Sequence, residues 1–76
     1  MRRLVEYIVK GLVDHPQDVE VAEIPLAEST VYEIHVAPSD LGKVIGKGGR
    51  VANAIRAVAK AVAQKDRRRV AVEIAD

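Results

Sequence analysis

The sequence predicts an α+β fold in which a helix, two strands, two helices and a last strand build a three-stranded mixed sheet with the helices on one face. Two observations carry that prediction. Apolar residues recur at spacings of three and four in some segments and alternate in others, and two helical segments stand between the second and third strands. The 76 residues suffice for a single domain spanning 1–76, and a chain this short buries only about 60% of its unfolded surface.

Leu4, Val5, Ile8, Val9, Leu12 and Val13 form one apolar stripe, with Glu6, Lys10 and Asp14 between them, so the first element is an amphipathic helix. Pro16 ends it, because proline disfavours a helical conformation in the residue before it. Gln17 and Asp18 make the turn. Ala22, Ile24 and Leu26 alternate with Glu23 and Pro25 as a strand, Val19 and Val21 stand in the opposite phase, and a bulge near Ala22 is expected to reconcile the two. Pro25 lacks a ladder donor, which places this strand at a sheet edge. After a turn at Ala27-Glu28-Ser29, Tyr32, Ile34 and Val36 alternate with Val31, Glu33 and His35, completing an antiparallel hairpin.

Pro38-Ser39-Asp40 reads as a helix start, with Ser39 as the cap and Asp40 at the positive end of the helix dipole. A short helix is expected through Leu41 to Ile45. Gly46-Lys47-Gly48-Gly49 breaks it, and a longer helix starts at Arg50 with Val51, Ile55, Val58 and Val62 as its stripe and many alanines as strong helix formers. Arg50, Asn53, Arg56, Lys60 and Gln64 are assigned to its outward face. Asp66-Arg67-Arg68-Arg69 is a basic connector, and Val70, Val72 and Ile74 alternate in a final strand. The helical crossover makes that strand parallel to the second.

The net charge is only +1, but the charge is segregated along the chain. Residues 41 to 69 hold nine lysines and arginines against Asp66 alone, whereas the rest holds three against ten acidic groups. Such a chain offers a polyanion one attractive face. There is no cysteine, which excludes disulfides and thiolate metal sites, and a reducing cytoplasm is the expected location. The apolar residues after Met1-Arg2-Arg3 are broken by charges, so neither a secretory leader nor a membrane span is expected.

The glycine-rich segment fits neither common nucleotide-binding fingerprint. A P-loop needs four residues between its glycines and a hydroxyl after the lysine, but Gly42 to Gly46 is one residue short and Gly48 occupies the hydroxyl position. A dinucleotide fingerprint needs a third glycine where Val51 stands, and a preceding strand where a helix is expected. What remains is Gly-x-x-Gly between two helices. Its glycines let a nucleic-acid backbone approach, amides at the start of the long helix are expected to face phosphate, and Lys47 adds a mobile charge. Gly42, one turn earlier, keeps the same face low.

Val44-Ile45-Gly46-Lys47-Gly48-Gly49-Arg50, with a helix on either side and strands beyond, resembles the signature of KH domains, whose GxxG loop clamps about four single-stranded nucleotides. The element order matches the type II arrangement, and the resemblance spans the chain, as in the small bacterial single-domain proteins of the KhpA family. It implies RNA binding at Gly46, Lys47, Gly48 and Gly49, flanked by Lys43 and Arg50. The groove floor would be drawn from Val44, Ile45, Val51 and Ile34, residues that suit the core equally well, and Arg67, Arg68 and Arg69 would form the opposite wall. It further implies an RNA chaperone or post-transcriptional regulator that pairs with itself or with a KhpB-like protein and influences cell shape and the cell envelope. No membrane, cofactor or small-molecule substrate is implied.

Tyr7 and Tyr32 are the only aromatic residues, so stacking platforms are missing and affinity is expected to come from phosphate contacts, salt-sensitive and sequence-tolerant. His15 and His35 lack metal-ligand spacing, and Ser29 and Ser39 have turn and capping roles, which leaves no catalytic constellation. Two rival readings remain. One is an assembly module that pairs through an uncovered sheet face carrying Val31 and His35, and the other is single-stranded DNA as the ligand.

Overall fold

The computed structural model describes all 76 residues. Its elements are α1 (Arg2–Leu12), β1 (Glu20–Pro25), β2 (Thr30–His35), α2 (Leu41–Ile45), α3 (Arg50–Lys65) and β3 (Val70–Ile74), in that order. The sheet runs β1-β2-β3, antiparallel between the first two strands and parallel between the last two. No helix is long and apolar enough to cross a membrane.

The core lies between the sheet and the helices. Val21, Tyr32, Ile34 and Val72 point inward from the strands and meet Val5 and Val9 of α1, Val44 of α2, and Ile55 and Ala59 of α3. Each fully buried aliphatic side chain contributes about 1.5–3 kcal/mol. On α1, Glu6 pairs with Lys10 one turn later at 2.9 Å, the favourable polarity for such a pair.

Four details depart from the sequence-based expectations. First, β1 contains no bulge: its pairing with β2 runs unbroken from Glu20–His35 to Pro25–Thr30. Val19 and Val21 hold the core phase, while Ala22, Ile24 and Leu26 are exposed. A single register suffices because the edge strand has few inward positions to fill. Second, the buried stripe of α3 is Ala52, Ile55, Ala59 and Ala63, with Val58 turned to solvent. The small residues let the helix lie close to the sheet, where valines would hold it away. Third, Arg56 is not merely solvated: its Nε donates to the Val72 carbonyl at 3.0 Å, occupying an acceptor of the edge strand β3.

The fourth departure concerns Asp40. Ser39 makes no cap, and α1 ends at Leu12 with Val13 extended, before the proline forces it to. The Asp40 side chain is completely buried and accepts the Asp14 and His15 amides at 3.1 and 3.0 Å. A residue expected to serve its own helix thus fastens the segment after α1 to the start of α2. Burial by itself would raise the carboxyl pKa, but those two amides, with His15 and Lys43 nearby, hold it below its ordinary value of 3.8.

The far end of α3 closes with a Schellman motif: the Arg68 amide donates to Ala63 and the Arg67 amide to Gln64, at 2.9 and 3.1 Å. Arg67 takes the left-handed position with φ of 54°, where glycine is usual and other L-residues are strained by about 1–2 kcal/mol.

A depressed carboxyl pKa stabilises the fold fully above the unfolded value and loses that contribution as pH falls through the folded one. Asp40→Ala is therefore expected to lower the thermal midpoint at pH 7 by roughly 5–15 °C. The gap to the parent should narrow once the pH drops below about 3.8, as followed by circular dichroism at pH 7 and pH 3.

Candidate functional site

The turn between α2 and α3 is built from backbone constraints. Gly46 has φ of 76° and ψ of 170°, a region essentially reserved for glycine. A Cβ there would collide with Val51 Cγ2 and stand 2.8 Å from the Val51 backbone nitrogen. Gly48 and Gly49 also have positive φ, 64° and 78°, but a Cβ on Gly48 would meet nothing within 4 Å. Gly46 is therefore demanded by packing. Gly48 is demanded by conformation alone, and its outer surface is open.

Lys47 and Arg50 are exposed at this turn and belong to no ion pair. Their charges are available to an approaching anion. The turn satisfies several of its own amides: Gly46 donates to Gly42, Gly49 to Gly46 and Arg50 to Lys47. The expected set of free amides at the helix start is correspondingly smaller, which shifts the burden of anion attraction onto the side chains. On α2, Lys43 is paired with Asp14 from the segment after α1. The hydrogen bond that Lys43 donates to that carboxylate raises the Lys43 pKa, so the ammonium stays charged but partly compensated. Asp14 lies 29 positions from Lys43 in sequence, and no local pattern signals the pairing.

Lys43, Ile45, Gly46, Lys47, Gly48, Gly49 and Arg50 thus share the α2–α3 turn and its flanks, with Ile45 exposed and Val51 half-buried beside Gly46. Val44 and Ile34 do not belong to an accessible floor, since both are completely buried core residues. The inward phase of the α2 turn and the centre of the sheet put them there. Arg67, Arg68 and Arg69 also lie elsewhere. They follow the C-terminus of the 16-residue α3, about 24 Å along its axis from the glycine turn, and they border an open cleft with the β1–β2 turn. The expected two-walled groove is therefore not closed by this connector.

Elsewhere, His35 and Glu33 contact each other at 2.6 Å on the exposed sheet face, and no three His, Cys, Asp or Glu residues cluster as a metal site.

A helix-turn-helix built on Gly-x-x-Gly, laid on one face of a mixed sheet in the order α-β-β-α-α-β, defines a small KH domain. The family described as KhpA/KhpB, KH domain, matches residues 2–74, and the chain belongs to it. The chain is 55% identical to an RNA-binding protein KhpA of Clostridium perfringens, over 97% of this chain and 99% of that protein. It is 51% identical to the protein so named in Halalkalibacterium halodurans over the whole of both chains. The Chlamydia trachomatis protein of that name is 43% identical, over 97% and 95% of the two chains. No solved structure matches the chain. The family is non-catalytic.

The glycine geometry sets an order of tolerance. Gly46→Ala meets both a clash and a forbidden φ and is expected to cost about 2 kcal/mol or more, whereas Gly48→Ala meets only the φ penalty of about 1–2 kcal/mol. Urea unfolding of the two variants measures the difference, and Gly46→Ala should have the lower midpoint.

Proposed function

We propose that residues 1–76 act as one non-catalytic KH domain that binds single-stranded RNA at the Gly46–Arg50 turn. The observation that carries this reading is the open, positive-φ turn with Lys47 and Arg50 unpaired beside it. A strand's phosphates approach the bare Gly48 backbone, Lys47 and Arg50 neutralise them, and Lys43 adds a weaker attraction moderated by Asp14. Ile45 and Val51 offer apolar surface to the adjoining bases. Relatives covering nearly their full length carry the name RNA-binding protein KhpA, which supports the same ligand.

The family membership supports a biological setting as well. The chain acts in the cytoplasm as an RNA chaperone or post-transcriptional regulator, as a homodimer or together with a KhpB-like KH protein, and contributes to cell shape and envelope maintenance. The pairing of KhpA with KhpB in the family description supports the partner. A second reading, in which the fold serves mainly as an assembly module, is favoured by the uncovered sheet face, where Ile24 is 40% exposed and the neighbouring Leu26 57%.

Titration of a labelled single-stranded RNA with the parent and with a Lys47→Asp, Gly48→Asp variant tests the reading, once both are shown to be folded. The variant is expected to lose RNA binding at least tenfold while sedimenting like the parent. Equal binding by the two proteins overturns the loop assignment, and loss of assembly with RNA binding intact favours the second reading. A matched DNA strand should bind less tightly if 2′-hydroxyls contribute. Asp14→Asn releases Lys43 and is expected to tighten RNA binding about two- to threefold and to steepen its logarithmic salt dependence by up to about 0.7.

A further inference from the structure

The cleft at the opposite end of α3 has no part in the site described above. It has a volume of about 280 Å³ and is lined by Leu26 to Thr30 of the β1–β2 turn and by Arg67, Arg68 and Arg69. Three consecutive arginines border it, Glu28 is the one acidic residue in the lining, and none of these arginines forms an ion pair with any acid. Ser29 and Thr30, both hydroxyl-bearing, belong to the same lining.

This cleft is braced. The Thr30 amide donates to the Arg69 carbonyl at 3.0 Å, tying the connector to the hairpin. Arg68 Nη2 donates to the Tyr32 hydroxyl at 3.4 Å, and that hydroxyl donates to Glu23 at 3.1 Å. Arg67 is held in its left-handed conformation by the helix-closing hydrogen bonds. A left-handed arginine backbone in a run that no acid neutralises is costly to maintain for solubility alone. The outer surface of α3 leads toward it: Arg50, Asn53, Ala54, Ala57, Lys60, Ala61 and Gln64 are all exposed, and α3 contains no acidic residue.

We propose that the Arg67–Arg69 cleft is a second phosphate-binding site, which takes a phosphate group of the same RNA strand held at the glycine turn. The proposal rests on the RNA-binding reading for its ligand, while the cleft's affinity for phosphate stands on its own residues. Guanidinium groups match phosphate oxygens with paired N–H donors, and the hydroxyls complete the set. At about 3.4 Å per stacked nucleotide, a four-nucleotide strand spans about 14 Å and remains at the turn, whereas a twelve-nucleotide strand covers the roughly 24 Å to the cleft.

The test uses the whole chain and an Arg67→Gly, Arg69→Gln variant. Arg68 is retained to hold Tyr32, and glycine at position 67 relieves the left-handed strain, so the variant keeps its fold. Binding of four- and twelve-nucleotide RNAs, each with a 5′-hydroxyl or a 5′-monophosphate, is measured across a salt series. The variant is expected to bind the twelve-nucleotide RNA several-fold more weakly, with a salt slope lower by about 0.7 for each phosphate left unneutralised, and the four-nucleotide RNA as the parent does. A loss shared by both 5′ ends assigns a backbone phosphate, and a loss confined to the 5′-monophosphate assigns a terminal one. Inorganic phosphate added to the ¹⁵N-labelled parent is expected to shift the Ser29, Thr30 and Arg69 amides. Unchanged affinity and slope for every twelve-nucleotide RNA overturns the proposal. The Lys47→Asp, Gly48→Asp variant run in parallel separates the two readings, because wild-type binding of the four-nucleotide RNA by that variant counts against the turn and not against the cleft.

Discussion

The absence of space for a side chain at Gly46 organises this molecule. Val51 packs against the bare Cα, so α2 and α3 meet through a turn that only glycine can make. The consequences spread in two directions. Inward, the close approach seats Val44 among Tyr32, Ile34 and Ile55 in the core. Outward, it leaves Lys47 and Gly48 projecting with nothing covering them. One steric fact thus supports the packing and exposes the site. Asp40 steadies the opposite end of α2 by holding the Asp14 and His15 amides, and the helix is pinned at both ends although it has only five residues.

Electrostatics divides the surface in the same way. The outer sheet face carries Glu20, Glu33 and Glu73, and the exposed side of α3 carries cations alone. A polyanion is attracted to one side and repelled from the other, which orients a ligand without base-specific contacts. Asp14 modulates the attractive side by engaging Lys43. Binding built on phosphates and lacking aromatic platforms is tolerant of sequence, so specificity is best supplied by a second copy or a partner on the same RNA.

The element order, the hairpin, the parallel third strand and the bounds of α2 and α3 were all legible in the sequence, because periodicity and glycine placement are local signals. The phase of β1 was not. Val19-Glu20-Val21 and Ala22-Glu23-Ile24 present equal local patterns, and the choice between them is made by what α1 and β2 bury. The α3 stripe misled for a related reason: hydrophobicity favours valine, but close packing against a sheet favours alanine at positions 52, 59 and 63. At the site, the glycine turn was readable from spacing, whereas the Asp14–Lys43 pair and the Asp40 clamp join residues 25 to 29 positions apart. Such contacts exist only once the chain is folded. The same holds for the connector, whose basic run was visible although its distance from the glycine turn depended on the length and direction of α3.

RNA binding at the glycine turn is tested most directly by a map of amide chemical shifts as a twelve-nucleotide single-stranded RNA is added to the ¹⁵N-labelled chain. The largest changes are expected at Gly46 through Arg50, with Ala22, Val31 and Glu33 on the outer sheet face unmoved. Changes centred on that face, with the glycine turn silent, would contradict binding at the turn.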